Sequence, residues 1–364
     1  MKAVVLDGGR LSVEELMKPV PKEDEVLVKV AACGVCHTDL HVMEGDVAFP
    51  SPAVLGHEIS GLVEEVGVNV KSVKKGDRVV SPFIIPCGYC RFCRQGLDDM
   101  CENFFKLNRL QGKLYDGNTR LFRRDGTPVW MYSMGGLAEY AVVPSTSVFR
   151  LPESLDLQTS CILGCAVFTA YGAVVNQAEL KQGENVAVVA VGGVGMNILQ
   201  ICKHVGASKI IAVDVSEEKL TKAKELAATH TINSAVSKAA DEIFRITNGE
   251  GVDVAFEALG RPETIQTAFN SVRDGGRAVV VGIAGQKKTV EIDITRLVRR
   301  SIRILGSYGA RTRRDMPEVI RLAERGIIDP GRIVSKSYRL EQAADAYSDL
   351  KEGKIVGRAV ITFS

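Results

Sequence analysis

"NVAVVAVGGVG", residues 185–195, decides the fold of this 364-residue chain. Its first seven residues form a short run rich in valine, typical of a buried strand, and the glycines lead into the helical pattern of "MNILQICKHVGA". A second strand, "KIIAVDV", and a second helix, "SEEKLTKAKELAA", follow. Strands that alternate with helices indicate parallel βαβ units. Residues 167–307 are therefore predicted to form an α/β domain around a doubly wound parallel sheet.

The same stretch contains most of a dinucleotide-binding fingerprint. The last two glycines of G-x-G-x-x-G fall on Gly192 and Gly195, whereas the first position is Ala190. Glycines allow backbone N–H groups to approach a pyrophosphate at a helix N-terminus, and Asp214, which ends the next strand, suits the ribose hydroxyls. The predicted nicotinamide-binding loop consists of Gly192, Gly193, Val194 and Gly195.

The choice between the two nicotinamide cofactors depends on the end of the second strand. Asp214 favours NAD, because its carboxylate would repel the 2′-phosphate of NADP. Ser216 and Lys219 follow closely, and they leave NADP as an alternative.

The first part of the chain has a different rhythm. Val-rich runs such as "EVLVKVAAC", "GLVEEVG" and "DRVVSPF" alternate with Gly, Pro and Asp, which indicates antiparallel strands joined by loops. The tail contains a helical stretch, "MPEVIRLAERG", and a strand, "GRAVITF". The pattern alone does not decide which of the two domains the tail completes. A chain of this length is expected to form two domains.

Four cysteines lie close together in "CGYCRFCRQGLDDMC", residues 87–101. The spacing C-x2-C-x2-C-x7-C allows Cys87, Cys90, Cys93 and Cys101 to surround one tetrahedral zinc with no open position, so the site is predicted to be structural. The alternatives are four unrelated thiols, which the spacing disfavours, and a zinc ribbon for nucleic acid. The ribbon is disfavoured because the motif lies inside a β-rich domain and the chain is nearly neutral.

A second set of metal-ligating residues is spread over three motifs, "CGVCHTDLH", "LGHEISG" and "LGCAVFTAYG". Cys36, His57 and Cys165 together would give two thiolates and one imidazole, with a fourth position open to substrate. Taken singly, each residue is weak evidence, since a lone Cys in an apolar run is usually a core residue. Combined with a nicotinamide fold, the three residues indicate metal-assisted hydride transfer.

Over nearly its whole length the chain resembles the zinc-dependent medium-chain alcohol dehydrogenases. The matching motifs are "CGVCHTDLH", "GHEISGLVEEVG", the four-cysteine segment, "GCAVFTAYGA", "VGGVG", "FEALGRPET" and "GRAVITF". The resemblance implies a GroES-like catalytic domain, 1–166 completed by 308–364, and a Rossmann domain, 167–307. It also implies two zinc ions per chain and a homodimer or homotetramer.

Residue roles around the metal follow from this resemblance position by position. Cys36, His57 and Cys165 match the catalytic zinc ligands. Glu58 matches a carboxylate that approaches the metal during ligand exchange, and Asp39 matches the partner that orients the histidine ligand.

Roles in proton transfer and cofactor binding are carried over in the same way. Thr38 and His41 match a proton relay that includes a ribose hydroxyl of the cofactor. His37 and Arg358 match the two positions that contact pyrophosphate, where His37 replaces an arginine often found in the family. Thr169 matches a threonine that packs against the nicotinamide.

Charge and hydropathy limit the expected partners to small molecules. The net charge is +2, from 46 basic and 44 acidic residues, which gives no reason to expect nucleic acid or an acidic membrane as partner. The N-terminal sequence has no secretory pattern, and no window is expected to reach the apolar length of a membrane span, so a cytoplasmic location is expected. The predicted substrate is a neutral primary or aromatic alcohol, or its aldehyde, which Phe83, Trp130 and Tyr132 would accommodate.

The loop "KLNRLQGKLYDGNTRLFRRD", residues 106–125, carries six basic and two acidic residues. One interpretation is a solvated surface or a subunit contact. The alternative places one or more of Arg109, Lys113 and Arg120 at the mouth of the cleft, where they would favour a carboxylate-bearing semialdehyde. A quinone or enone reductase, or a non-catalytic nucleotide sensor, is disfavoured, since neither needs an open metal site.

Overall fold

The structure is a computed structural model that describes residues 1–285 and 288–363. It forms two compact units, the first Met1–Phe168 with Arg311–Ser364 and the second Thr169–Ala310. The boundaries expected from the sequence differ from these by two or three residues.

The strands are β1 Lys2–Asp7, β2 Arg10–Glu15, β3 Glu25–Val35, β4 Ala53–Val54, β5 Ile59–Val66, β6 Arg78–Ser81, β7 Leu121–Phe122, β8 Pro128–Met131, β9 Tyr140–Pro144, β10 Phe149–Arg150, β11 Val186–Val189, β12 Ile210–Asp214, β13 His230–Asn233, β14 Val252–Glu257, β15 Val272–Val280, β16 Arg303–Gly306, β17 Val334–Arg339 and β18 Arg358–Thr362. The helices are α1 His37–Met43, α2 Arg91–Arg94, α3 Ala166–Tyr171, α4 Gly193–Val205, α5 Glu217–Leu226, α6 Ala239–Ile246, α7 Pro262–Ser271, α8 Ile294–Arg299, α9 Thr312–Glu324, α10 Pro330–Ile333 and α11 Ala343–Lys351.

The first unit contains two sheets. The larger has the order β10-β6-β5-β3-β18-β17, with β9 also paired to β3, and the smaller has the order β2-β1-β4-β8-β7. β3 is long and almost wholly buried, as its Val-rich sequence predicts, and it pairs antiparallel with β5, β9 and β18. Because β18 lies between β3 and β17, the C-terminal tail completes the first unit.

The second unit is built on one parallel sheet with the order β13-β12-β11-β14-β15-β16. The order reverses between β11 and β14, which is where ligands bind in open sheets of this kind. Its core includes Ala187, Ile211, Ala255 and Phe269, all of which are buried. The predicted α/β architecture with a doubly wound parallel sheet is confirmed.

One helical stretch, Thr159–Gln177, corrects the expectation that no segment has the length and hydropathy of a membrane span. Its mean hydropathy is 1.5 over the most apolar window. The structure buries 78% of that window, and a core helix meets the same length and hydropathy criteria, so the stretch is weak evidence for a span. Among the residues that the structure describes, no other helix meets them.

Candidate active site

Four potential metal ligands converge in the first unit, where Cys36, His57, Glu58 and Cys165 are all buried. One ligand atom from each lies within 4.8 Å of those of the others. Cys36 follows β3, and His57 and Glu58 come directly before β5. Because β3 and β5 are antiparallel neighbours, the end of one strand lies beside the start of the other, and this pairing brings the first three ligands together. Cys165 directly precedes α3.

A glycine in β3 makes room for one of these side chains. A Cβ atom on Gly34 would lie 2.4 Å from Oε2 of Glu58, closer than side-chain atoms approach in proteins. The backbone N–H of Gly34 also donates to the carbonyl of Glu58, at 2.8 Å. The Glu58 carboxylate can therefore lie beside this strand only because residue 34 has no side chain.

A network of hydrogen bonds holds His57 in place. Its Nδ1 lies 3.0 Å from Oδ1 of Asp39, which also accepts from the backbone N–H of Gly56 at 3.2 Å. Oδ2 of Asp39 accepts from the hydroxyl of Tyr347 at 2.9 Å. A carboxylate on Nδ1 fixes the tautomer that leaves Nε2 as the ligand atom. Tyr347 was not predicted from sequence, since it lies 308 residues from Asp39 and belongs to no motif.

The buried charges favour an anionic sulfur at this site. The hydrogen bond from Cys165 and the positive charge of Arg358 lower the pKa of the Cys36 thiol. The same hydrogen bond, together with burial, raises the pKa of Cys165. Burial lowers the pKa of His57, but Asp39 and Cys36 outweigh it, so that the pKa lies well above its ordinary value. Two sulfurs and an imidazole are a donor set that suits zinc.

Arg358 lies against this cluster. Its Nη2 donates to Oε1 of Glu58 at 2.5 Å, and its Nε lies 3.3 Å from Oε2. Nη2 also lies 3.5 Å from Sγ of Cys36. Burial raises the pKa of Glu58 to about 7, although the charge of Arg358 acts in the opposite direction. The pyrophosphate contact implied for Arg358 stays a prediction; the contacts in the structure are those to the carboxylate and the thiols.

The three polar residues predicted on α1 have different environments. Oγ1 of Thr38 lies 3.5 Å from Sγ of Cys36, and Thr38 is half-buried. His41 is partly exposed, and its Nδ1 lies 3.1 Å from Oδ2 of Asp46. His37, the first residue of the helix, is exposed. The helix therefore places Thr38 beside the candidate metal site, while His37 and His41 reach the surface of the unit.

Aromatic rings form a wall next to His57. The ring centroids of Phe83 and Tyr132 lie 6.0 Å and 5.9 Å from that of His57. Phe49 packs edge-on against Tyr132 at 5.0 Å, and Phe168 packs against Phe83 at 6.1 Å. The side of the site next to His57 is therefore largely apolar.

The basic loop divides into structural and candidate binding residues. Arg120 is buried and donates to both carboxylate oxygens of Glu25, at 2.6 Å and 2.9 Å, and to Asp116 at 3.0 Å. A substrate carboxylate cannot share these donors, so Arg120 is removed from the predicted binding set. Lys113 lies over the ring of Trp130 and donates to Gln111.

Arg109 has a different position in this loop. Its guanidinium lies 4.4 Å from the centroid of the Tyr132 ring, the same ring that lies beside His57. Of the basic residues considered, Arg109 is the one that the structure connects to the candidate site.

The four-cysteine segment forms a second candidate metal site. Ligand atoms of Cys87, Cys90, Cys93 and Cys101 all lie within 4.8 Å of one another. Backbone N–H groups donate to these sulfurs, for example from Cys90 to Cys87 at 3.3 Å and from Phe104 to Cys101 at 3.4 Å. Donors of this kind stabilise thiolates that bind a metal. The residues therefore fit a closed zinc site.

An arginine from the C-terminal part of the first unit binds to the four-cysteine segment. Arg313 donates through Nε and Nη2 to the buried carboxylate of Asp98, at 3.0 Å and 2.6 Å, and to the carbonyl of Cys93 at 2.5 Å. Sequence analysis did not identify this pair, since the partners are 215 residues apart.

The glycine loop of the second unit has the geometry of a dinucleotide-binding turn. Ala190 adopts a φ of 71°, the left-handed conformation that favours glycine. A Cβ atom on Gly195 would lie 2.2 Å from the carbonyl oxygen of Ala190, whereas one on Gly192 would meet nothing within 4 Å. The turn is thus preserved despite the alanine, and the space next to Gly192 suits a pyrophosphate.

The acidic residue of the fingerprint is tied to this loop. Oδ2 of Asp214 accepts from the backbone N–H of Val191 at 2.9 Å, and Oδ1 accepts from Val215 and Ser216 at 2.9 Å and 3.1 Å. The Ser216 side chain caps α5 by accepting from the N–H of Lys219. Gly193 and Val194 begin α4, and Thr169 is half-buried in α3.

A zinc-type donor set in one unit and a dinucleotide loop in the other define a nicotinamide-dependent metal dehydrogenase. Two family models match the chain: the alcohol dehydrogenase GroES-like domain over residues 22–153 and the zinc-binding dehydrogenase domain over residues 193–325. An NDMA-dependent alcohol dehydrogenase of Amycolatopsis methanolica is 36% identical over 371 residues, with 100% of this chain and 99% of that protein covered.

Solved structures agree with these matches. A zinc-binding alcohol dehydrogenase domain protein from Burkholderia ambifaria has a TM-score of 0.94 at 34% identity, covering 100% of this chain and 98% of that one. Benzyl alcohol dehydrogenase from Acinetobacter calcoaceticus has a TM-score of 0.93 at 31% identity, covering 100% of this chain and 99% of that one. A zinc-binding dehydrogenase from Sinorhizobium meliloti, solved with NADP, has a TM-score of 0.85 at 29% identity, with the same shares of the two chains covered.

The chain belongs to the zinc-dependent medium-chain alcohol dehydrogenase family.

Proposed function

We propose that this oxidoreductase transfers a hydride between a nicotinamide cofactor and a primary alcohol or its aldehyde. The observation that carries the proposal is the convergence of Cys36, His57 and Cys165 at one buried point. Three protein ligands leave a tetrahedral metal one position for substrate. Glu58, the fourth residue of this cluster, accepts two hydrogen bonds from Arg358, whereas the other cluster offers four cysteines for a closed site.

Zinc held by these three residues supplies a Lewis acid that stabilises negative charge on a substrate oxygen. Asp39 sets the orientation and tautomer of His57, so that Nε2 is available as the ligand atom. Arg358 balances the negative charge of Glu58 and the neighbouring sulfur. The protein thereby keeps an anionic donor set stable in a buried site.

Proton transfer is assigned to residues of α1. The hydroxyl of Thr38, beside Cys36, is the first group that accepts the alcohol proton, and His41 is the end of the path that exchanges it with solvent. The partial exposure of His41 supports this order, since a terminal proton carrier must contact water.

Cofactor binding is assigned to the loop of Gly192, Gly193, Val194 and Gly195 and to Asp214. NAD is the proposed cofactor. Three backbone donors hold the Asp214 carboxylate at the end of β12, and an acid at this point of the fingerprint is expected to repel a 2′-phosphate. NADP remains the alternative, with Lys219 nearby. Contacts from His37, Thr169 and Arg358 to the cofactor remain part of the proposal.

The proposed substrate is a neutral primary alcohol or aldehyde, with an aromatic one preferred. The rings of Phe83 and Tyr132 beside His57 support this assignment, because they give an apolar surface for a substrate ring. The similarity to a benzyl alcohol dehydrogenase also supports it.

A carboxylate-bearing semialdehyde is the second candidate substrate. It is favoured by Arg109, whose guanidinium lies over Tyr132 next to the candidate metal site. A quinone or enone reductase is disfavoured, because it does not need the buried cluster of Cys36, His57 and Cys165. Two zinc ions per chain, a homodimer or homotetramer and a cytoplasmic location complete the proposal.

Nicotinamide absorbance tests the proposal directly. Benzaldehyde and succinic semialdehyde, each with NADH and with NADPH, are compared for kcat/KM. We expect turnover of benzaldehyde with NADH to be the fastest. A strong preference for succinic semialdehyde that is lost in Arg109→Gln but kept in Lys113→Gln would establish the second candidate. Absence of turnover of any aldehyde or alcohol by zinc-loaded protein would contradict the proposal.

A further inference from the structure

The turn after α1 brings a carboxylate onto His41. The helix ends at Met43, Gly45 adopts a φ of 79°, and the backbone N–H of Val47 donates to the carbonyl of His41 itself at 2.9 Å. This closed turn returns Asp46 to the imidazole ring, where its Oδ2 lies 3.1 Å from Nδ1. The contact thus follows from the backbone path.

The segment between β3 and β5 therefore contains two carboxylate–histidine pairs. Asp39 is paired with His57 in the buried metal site, and Asp46 is paired with His41 near the surface. In the first pair the carboxylate fixes which imidazole nitrogen is free. The second pair has the same atom arrangement, with the carboxylate on Nδ1.

We propose that Asp46 is a positioning residue for proton transfer through His41. It holds the Nδ1–H tautomer, so that Nε2 is the nitrogen that accepts the proton, and it stabilises the imidazolium that results. When His41 loses the proton to water, the imidazole returns to the same tautomer. This inference rests on the proposed relay, and it assigns the relay a further residue that no motif contains.

Two other carboxylates of α1 and its C-terminal end, those of Asp39 and Glu44, have partners elsewhere. Asp39 accepts from His57 and Tyr347, and Glu44 pairs with Lys351 of α11 at 2.7 Å. His37 precedes His41 by one turn of the same helix and is exposed. Asp46 is the carboxylate that the structure places in hydrogen-bond contact with the His41 ring.

Partial exposure limits the size of the effect. The side chains of His41 and Asp46 are 25% and 46% exposed, so water and salt screen the pair. We therefore expect Asp46→Asn to lower kcat for alcohol oxidation about twofold, because the ring would hold its Nδ1–H tautomer for a smaller fraction of the time.

The experiment compares kcat and KM for alcohol oxidation by the zinc-loaded, full-length enzyme and by four variants. Asp46→Asn should lower kcat with KM for alcohol unchanged, and Asp46→Glu should restore part of the lost kcat. Glu44→Gln, which removes a surface carboxylate from the same turn, should have the kcat of the unaltered enzyme. Melting temperatures of all variants show whether folding is affected.

His41→Gln separates this inference from the relay on which it rests. If His41→Gln lowers kcat but Asp46→Asn does not, Asp46 has no positioning role and the relay stands. If His41→Gln itself leaves kcat unchanged, both the relay and the role of Asp46 are wrong. An equal loss of kcat in Glu44→Gln would show a general surface-charge effect and would also overturn the inference.

Discussion

Asp39 is a carboxylate buried within the candidate site, where three partners surround it. It is completely buried, and its carboxylate interacts with His57, the backbone of Gly56 and Tyr347. A buried carboxylate needs such donors, because an unpaired one would cost several kcal/mol. Each of these groups therefore contributes to keeping His57 oriented toward a metal.

Tyr347→Phe tests this network with the change of one atom. Loss of the hydroxyl leaves Oδ2 of Asp39 without its donor, and we expect zinc affinity at the Cys36 site to fall about 10-fold. Competition with a chelator, followed by metal analysis, measures the change. Tyr338→Phe is the matched control, since its hydroxyl donates to Asp349, whose side chain is 26% exposed. Equal zinc retention in the two variants would show that Tyr347 does not support the ligand.

The four-cysteine segment, residues 87–101, contains little regular secondary structure. Its regular structure is limited to α2, of four residues, and a three-residue 3-10 turn, Asp98–Met100. Elements this short do not form on their own in water. We expect this segment to depend on metal ligation by its cysteines as well as on the ion pair between Arg313 and Asp98.

Cys87→Ser should therefore destabilise the protein rather than alter its chemistry. Structural zinc contributes folding free energy directly, so we expect a lower melting temperature and poorer solubility, with zinc falling from two ions per chain to one. Calorimetry and metal analysis give both quantities. A melting temperature equal to that of the unaltered protein would remove the structural role from this cluster.

Local patterns were sufficient to predict the elements and several site residues. Val-rich runs predicted β3, β5 and β11, and the cysteine spacing indicated the four-cysteine cluster. These features depend on neighbours in sequence, through periodicity or fixed ligand spacing. They can therefore be predicted without knowing the fold.

Contacts between distant residues could not be predicted. Arg120 was considered for substrate binding, whereas the structure pairs it with Glu25, 95 residues away. The contact of Arg358 with Glu58, 300 residues away, was likewise not predicted, and the role of Arg358 at the pyrophosphate stays a prediction. No periodic pattern links such partners, and the sign of a charge does not show which opposite charge it will meet.

At the scale of the whole molecule, the first unit is discontinuous in sequence. β18, close to the C-terminus, lies between β3 and β17 in the larger sheet. This strand begins with Arg358, and its pairing with β3 brings that residue to Glu58 and Cys36. The candidate metal site is therefore complete only when both ends of the chain have folded together.

Cys36→Ser, assayed for zinc content and turnover together, shows whether Cys36, His57 and Cys165 hold a zinc ion that hydride transfer requires. We predict two zinc ions per chain in the unaltered protein and one in the variant. The variant should keep its fold by circular dichroism and lose alcohol oxidation by at least about 100-fold, the scale expected when a Lewis acid is removed. A variant with near-normal kcat, or with both zinc ions retained, would contradict the account.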